Sequence, residues 1–111
     1  SRERAVIRFR CDQKRTRRLN LGDPVVDDRG QEIGKVASCS VDVEGFMVGL
    51  AIIDRRFTEP GTHLVIFPLR GKSLEEALLR GGRVTLPVDV TVLPRFPEKE
   101  NKMPAWMSGE D

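Results

Sequence analysis

The sequence predicts an all-β fold with one short helix: six short antiparallel strands that form a small barrel or a sandwich. Three observations predict it. Short apolar runs alternate with polar residues at a period of two, the pattern of a strand with one dry face. Clusters of Asp, Gly and Pro separate these runs at the short intervals typical of hairpins. Only residues 73–82 carry a helical signal.

Each element follows from local chemistry. In residues 5–11, Ile7, Phe9 and Cys11 fall on one side and Val6, Arg8 and Arg10 on the other, which makes a half-wet strand. Residues 12–19 are polar and basic and read as a loop. Leu21-Gly22-Asp23-Pro24 is a turn signal before a short strand at Val25 and Val26. Asp27-Asp28-Arg29-Gly30 reads as a tight turn, with Gly30 suited to a positive φ. Residues 32–41 form the next strand, and the break in parity around Gly34 predicts a bulge. A turn through Gly45 leads to residues 47–54, which are almost all apolar. That run predicts a strand buried on both faces or central to the sheet. A loop closed by Pro60-Gly61 precedes a strand over 62–67.

Ser73 and Glu76 have capping-box spacing, and Leu74, Ala77 and Leu78 give a short apolar face. Gly81 and Gly82 stand where a helix C-cap belongs, so the helix has two turns at most. Residues 84–93 alternate most regularly, with Val84, Leu86, Val88, Val90 and Val92 on one side. Pro87 cannot donate to a ladder and predicts an edge or bulge there. Residues 1–96 are thus expected to form the β domain, and residues 97–111 a polar tail containing Met103-Pro104-Ala105-Trp106-Met107.

Composition narrows the functional classes. The 111 residues suit one domain, and 39% hydrophobic against 32% charged residues supports one small core. The net charge is +2, but residues 1–18 carry +6 (eight basic residues against Glu3 and Asp12), leaving −4 for the rest. Such asymmetry can mark an anion contact. Aromatic residues are 5% of the chain and Tyr is absent, which argues against base stacking on RNA. No apolar run approaches the roughly 20 residues of a membrane span, and the basic N-terminus has no apolar leader core. Two separated cysteines, Cys11 and Cys39, make neither a disulfide framework nor a zinc set and point to the cytoplasm. The first residue is Ser1, as expected of a domain excised from a longer chain.

A set of motifs in order carries a family resemblance. Gly22-Asp23-Pro24-Val25 is followed by Gly30, then Ile33-Gly34-Lys35-Val36-Ala37-Ser38. Leu50-Ala51-Ile52-Ile53, Pro60-Gly61-Thr62 and Arg70-Gly71-Lys72 come next, and the string closes with Val90-Thr91-Val92-Leu93-Pro94-Arg95-Phe96. Over residues 5–96 this series resembles the C-terminal barrel of the glycine-cleavage T-protein (aminomethyltransferase) family, and the resemblance implies a small six-stranded antiparallel, Greek-key-like barrel rather than a sandwich. Where that family has Thr-Ser-Gly, this chain has Ala37-Ser38-Cys39, so only Ser38 carries over. Residues 73–82 look like an insertion.

In the family, folate and the lipoyl-bound aminomethyl group are handled mainly by larger N-terminal domains that include a catalytic Asp, and that sequence is absent here. The resemblance therefore implies an accessory barrel that packs against a folate-binding domain, in cis or in trans, and helps to close its cavity. The chain alone is expected to have no catalytic residue and no cofactor. Tetrahydrofolate is the cofactor implied for the parent protein, and a lipoyl carrier protein a partner. Ser38, Arg8 and Arg10 are the cofactor-binding candidates, and no metal ligand is assigned.

The alternative is a free-standing module whose basic face contacts RNA or another anionic partner. Lys14, Arg15, Arg17 and Arg18 suit phosphate or carboxylate, although a solvated loop is the favoured reading of them. His63, the single histidine, reads as a strand-edge residue. Cys11 and Cys39 read as small buried hydrophobes, Asp27-Asp28 and Glu75-Glu76 as turn and cap acids, and Arg70-Gly71-Lys72 as a turn.

Overall fold

A computed structural model describes residues 3–14, 16–79 and 86–95. Six strands close into one antiparallel barrel: β1 (Arg4–Cys11), β2 (Pro24–Val26), β3 (Glu32–Val41), β4 (Met47–Asp54), β5 (His63–Ile66) and β6 (Val88–Leu93). The order around the barrel is β1-β4-β3-β2-β5-β6, with β6 pairing back onto β1. Strands β2, β3 and β4 are hairpin neighbours. The long connection 12–23 carries the chain from β1 to β2 and leaves β1 beside β4, which is a Greek-key path. Closure leaves no strand edge to be protected.

The expected elements are present with small differences in extent. Both β3 and β4 span the residues that their patterns predict. A helix, α1 (Leu74–Leu79), follows Ser73, whose Oγ accepts a hydrogen bond from the Glu76 N–H at 3.0 Å. A 3-10 turn at Arg55–Phe57, capped by Asp54, was not foreseen. Strand β6 begins at Val88, immediately after Pro87, as the missing proline N–H requires. Leu86 is therefore outside the strand, and it is 82% exposed rather than inward. Residues 80–85 and the tail from 96 onward, including Met103 to Met107, lie outside the described residues.

The core is the barrel interior. Ile7, Phe9 and Cys11 from β1 meet Val36 from β3, Ala51 and Ile53 from β4, Leu64 and Ile66 from β5, and Val88, Val90 and Val92 from β6. Each such aliphatic or aromatic side chain contributes about 1.5–3 kcal/mol when removed from water. Cys11 is fully buried, and Cys39 packs against the same core. Gly49 lets the wall approach this centre closely. A β-carbon there would lie 2.2 Å from the Ser38 carbonyl oxygen and 2.8 Å from the Phe9 ring.

Two bulges steer β3. Val25 pairs with Gly34 but Val26 with Glu32, so Ile33 is the extra residue. That is the irregularity expected around Gly34. A second register shift lies between Val36 and Ser38. Regular alternation would put both residues on one face. The extra residue, Ala37, turns Ser38 outward while Val36 stays buried.

The expectation for β4 holds in its second form only, a strand with neighbours on both sides, and is corrected in its first. The nearly continuous apolar run of β4 is flanked by β1 and β3 but is dry on one face only. Leu50 and Ile52 are 39% and 43% exposed. A parallel-sheet strand would have helices over its outer face; here no described element covers β4.

Candidate functional site

The outer face of β1 and β4 combines exposed apolar groups with arginine. Val6 stands directly opposite Ile52, and Arg8 opposite Leu50, across the antiparallel pair. Leu50 in turn pairs with Ser38 of β3. Arg8, Leu50 and Ser38 thus form one row across three strands, spanning two strand spacings or about 10 Å. Val6 is 59% exposed and, with Leu50 and Ile52, makes a continuous apolar stripe. Beside it runs a groove of about 670 Å³ lined by Ala5, Val6, Arg8, Leu50, Leu93 and Arg95, among others. No described element covers this face, and exposure to water is unfavourable for three clustered aliphatic side chains.

The three residues named from sequence share this outer surface but not one pocket. Arg8 lines the groove and donates from Nη1 to the Pro94 carbonyl at 3.1 Å. That bond fixes the guanidinium beside the end of β6. Ser38 is exposed and lines a separate depression with Cys39, Ser40 and Met47. Arg10 is already engaged. Its guanidinium stacks 3.8 Å from the Phe46 ring centre, and Nη2 donates to Glu44 at 3.0 Å. An arginine held by stacking and by a carboxylate has little left for a ligand.

Both hairpin turns are built by the same device. Asp27 Oδ1 accepts the Arg29 and Gln31 N–H groups, both at 2.9 Å, before Gly30. Asp42 Oδ1 accepts those of Glu44 and Phe46 at 2.8 and 2.9 Å, around Gly45. These aspartates are turn-formers, as read for Asp27 from the sequence.

His63 has partners that sequence distance concealed. Its Nε2 lies 2.9 Å from Asp89 Oδ1 and its Nδ1 lies 3.3 Å from Asp28 Oδ1. The two aspartates are 26 and 35 residues away in the chain. The Asp89 hydrogen bond, supported by that of Asp28, raises the imidazole pKa above its ordinary value. With both ring nitrogens facing carboxylates, the surroundings favour the protonated ring over the free base. Thr62, the hydroxyl in the adjoining depression, donates to the Glu59 carbonyl at 2.6 Å. Thr91, opposite His63 across the β5–β6 pair, likewise donates its hydroxyl elsewhere, to Asp12 at 2.7 Å, so neither of these described hydroxyls is offered to the ring. Among the described residues, no group of three or more His, Cys, Asp or Glu is placed to hold a metal ion.

Burial raises the Cys11 thiol to about 11 and also moves Cys39 upward. Neither resembles an activated thiolate.

No protein-family model matches this sequence, and no curated protein matches it. Among solved structures, the fold is similar to the glycine cleavage system aminomethyltransferase T from Bartonella henselae. The TM-score is 0.56 at 19% identity, over 82% of this chain and 21% of that one. The chain therefore spans about a fifth of that enzyme's length, and the likeness is one of fold.

Proposed function

We propose that this chain is an accessory barrel of a T-protein-like, folate-dependent one-carbon protein of the cytoplasm. It packs through the outer face of β1 and β4 on a folate-binding domain that this chain does not contain. The observation that carries the reading is the exposed stripe Val6, Leu50 and Ile52, flanked by Arg8. A barrel whose interior is already full has no internal reason to keep three aliphatic side chains together on its outside. A second domain would bury them, and Arg8 can meet a carboxylate at the rim. The similarity to part of an aminomethyltransferase supports the choice of neighbour.

In this reading tetrahydrofolate and the transferred group belong to the neighbouring domain, as does any encounter with a lipoyl carrier. Ser38 and Arg8 are outward and can reach the seam between the two bodies. Arg10 is the weakest of the three candidates because Phe46 and Glu44 already hold it.

The test reads the coding sequence upstream of Ser1 and assays the encoded product for tetrahydrofolate binding. The proposal expects an in-frame folate-binding domain, and no aminomethyl transfer by the 111-residue chain alone. A start codon immediately before Ser1, or turnover by the isolated chain, would contradict it.

A further inference from the structure

We propose that Arg17, Arg18 and Arg70 form a binding site for a phosphate group where the β1–β2 and β5–α1 connections meet. The three side chains line a depression of about 540 Å³ together with Asn20 and Pro68. No acidic residue lines it. Among the described residues, ion pairs go to Arg10, Arg55, Arg56 and His63, and not to these three arginines. Three guanidinium groups in one hollow repel one another, and an anion removes that repulsion.

The hollow is held in place from beneath. Asp23 is fully buried, and its carboxylate accepts three backbone N–H groups. Asn20 donates at 2.7 Å from the first connection, and Leu69 and Gly71 at 3.2 and 2.7 Å from the second. One carboxylate therefore fastens the segment carrying Arg17 and Arg18 to the turn carrying Arg70. The two backbones are nearly in contact: a β-carbon on Gly71 would lie 2.9 Å from the Leu21 carbonyl oxygen.

Arg70 supplies an independent indication. Its φ is 57°, and it is the one non-glycine residue with positive φ among those described. Glycine or asparagine would sit there with less strain. A strained backbone at a residue whose side chain lines a charged hollow points to a requirement for that side chain.

The donor set selects the ligand. A carboxylate has two oxygens and one charge, and a single arginine fork can satisfy it. A phosphate monoester offers three terminal oxygens and nearly two charges, which suits several forks and the Asn20 amide together. A single-stranded nucleic acid would need an aromatic stacking surface as well, and no aromatic residue lines this depression. The hollow shares no lining residue with the groove on the β1–β4 face, though it adjoins the Ser38 depression through Arg18 and Asn20; phosphate binding by the 111-residue chain alone is therefore read separately from docking.

The test is an NMR titration of the full 111-residue chain with inorganic phosphate, and separately with glutarate, at constant ionic strength. Saturable shifts are expected with phosphate at the arginine Nε–H signals of residues 17, 18 and 70 and at the Gly71 amide. Glutarate should bind more weakly. Arg70→Gly should weaken phosphate binding about tenfold, the value of one charge-assisted contact, while Tm stays level or rises because glycine accepts the left-handed backbone. Should that variant fail to fold, Arg18→Gln, at an exposed position, should show the same loss at unchanged Tm. Absence of saturable shifts, tighter binding of glutarate, or wild-type affinity in a folded variant would each overturn the assignment.

Discussion

His63 is the residue whose behaviour in solution the geometry fixes most narrowly. Its folded-state pKa is raised by Asp89 first and by Asp28 as well. A group with a raised folded pKa contributes stability that is full below its unfolded value, near 6.5, and is lost as pH rises through the folded value. Urea midpoints should therefore fall as the pH is taken from about 6 upward through the histidine titration. Asp89→Asn should flatten that slope and move the imidazole NMR titration to lower pH. An unchanged titration in that variant would remove Asp89 as the cause. Cysteine chemistry gives a second check at the same scale. With its thiol pushed up to about 11 and no exposed surface, Cys11 should resist alkylation at pH 8, and the partly exposed Cys39 should react ahead of it. Peptide mapping after iodoacetamide treatment reads the order directly.

The strands show how side-chain size and register decide what faces outward. Gly49 is the point on β4 where the Phe9 ring and the Ser38 carbonyl come closest. Gly49→Ala forces a methyl group against β3 backbone, and overpacking of this kind costs about 1–3 kcal/mol. The urea midpoint should drop with an unchanged m-value; equal midpoints would show that β3 can yield there. Much at this level was legible beforehand. The alternation of Ile7, Phe9 and Cys11 named the inward face of β1, and Asp27 with Gly30 named a turn, because both signals are local. The bulge at Ala37 was not legible, since Ala37-Ser38-Cys39 has no glycine or proline to mark it. The wet outer face of β4 was also missed. A run such as Leu50-Ala51-Ile52-Ile53 looks the same whether both faces are covered or only one.

At the scale of the molecule, the barrel is closed, its interior is filled by aliphatic side chains, and its polar groups are spent on turns and loop fastenings. Asp23 ties two connections together, Asp27 and Asp42 build hairpins, and Asp54 caps a turn while pairing with Arg56 at 2.8 Å. The six strands were readable from period and punctuation, whereas their closure into a barrel rather than a sandwich was implied only by the family resemblance. The meeting of residues 20 and 70, and of 28, 63 and 89, was not, because only the folded chain brings them together. What the closed barrel leaves unexplained is the apolar stripe on its side, and that stripe is where the account places a neighbouring domain. Substituting Ile52→Cys puts a thiol at its centre, and the rate of alkylation can be followed with and without the folate-binding domain, joined or mixed. That thiol should react readily in the 111-residue chain and at least about tenfold more slowly once the second domain is present, equivalent to roughly 1.4 kcal/mol of protection. Equal rates in the two samples would contradict it.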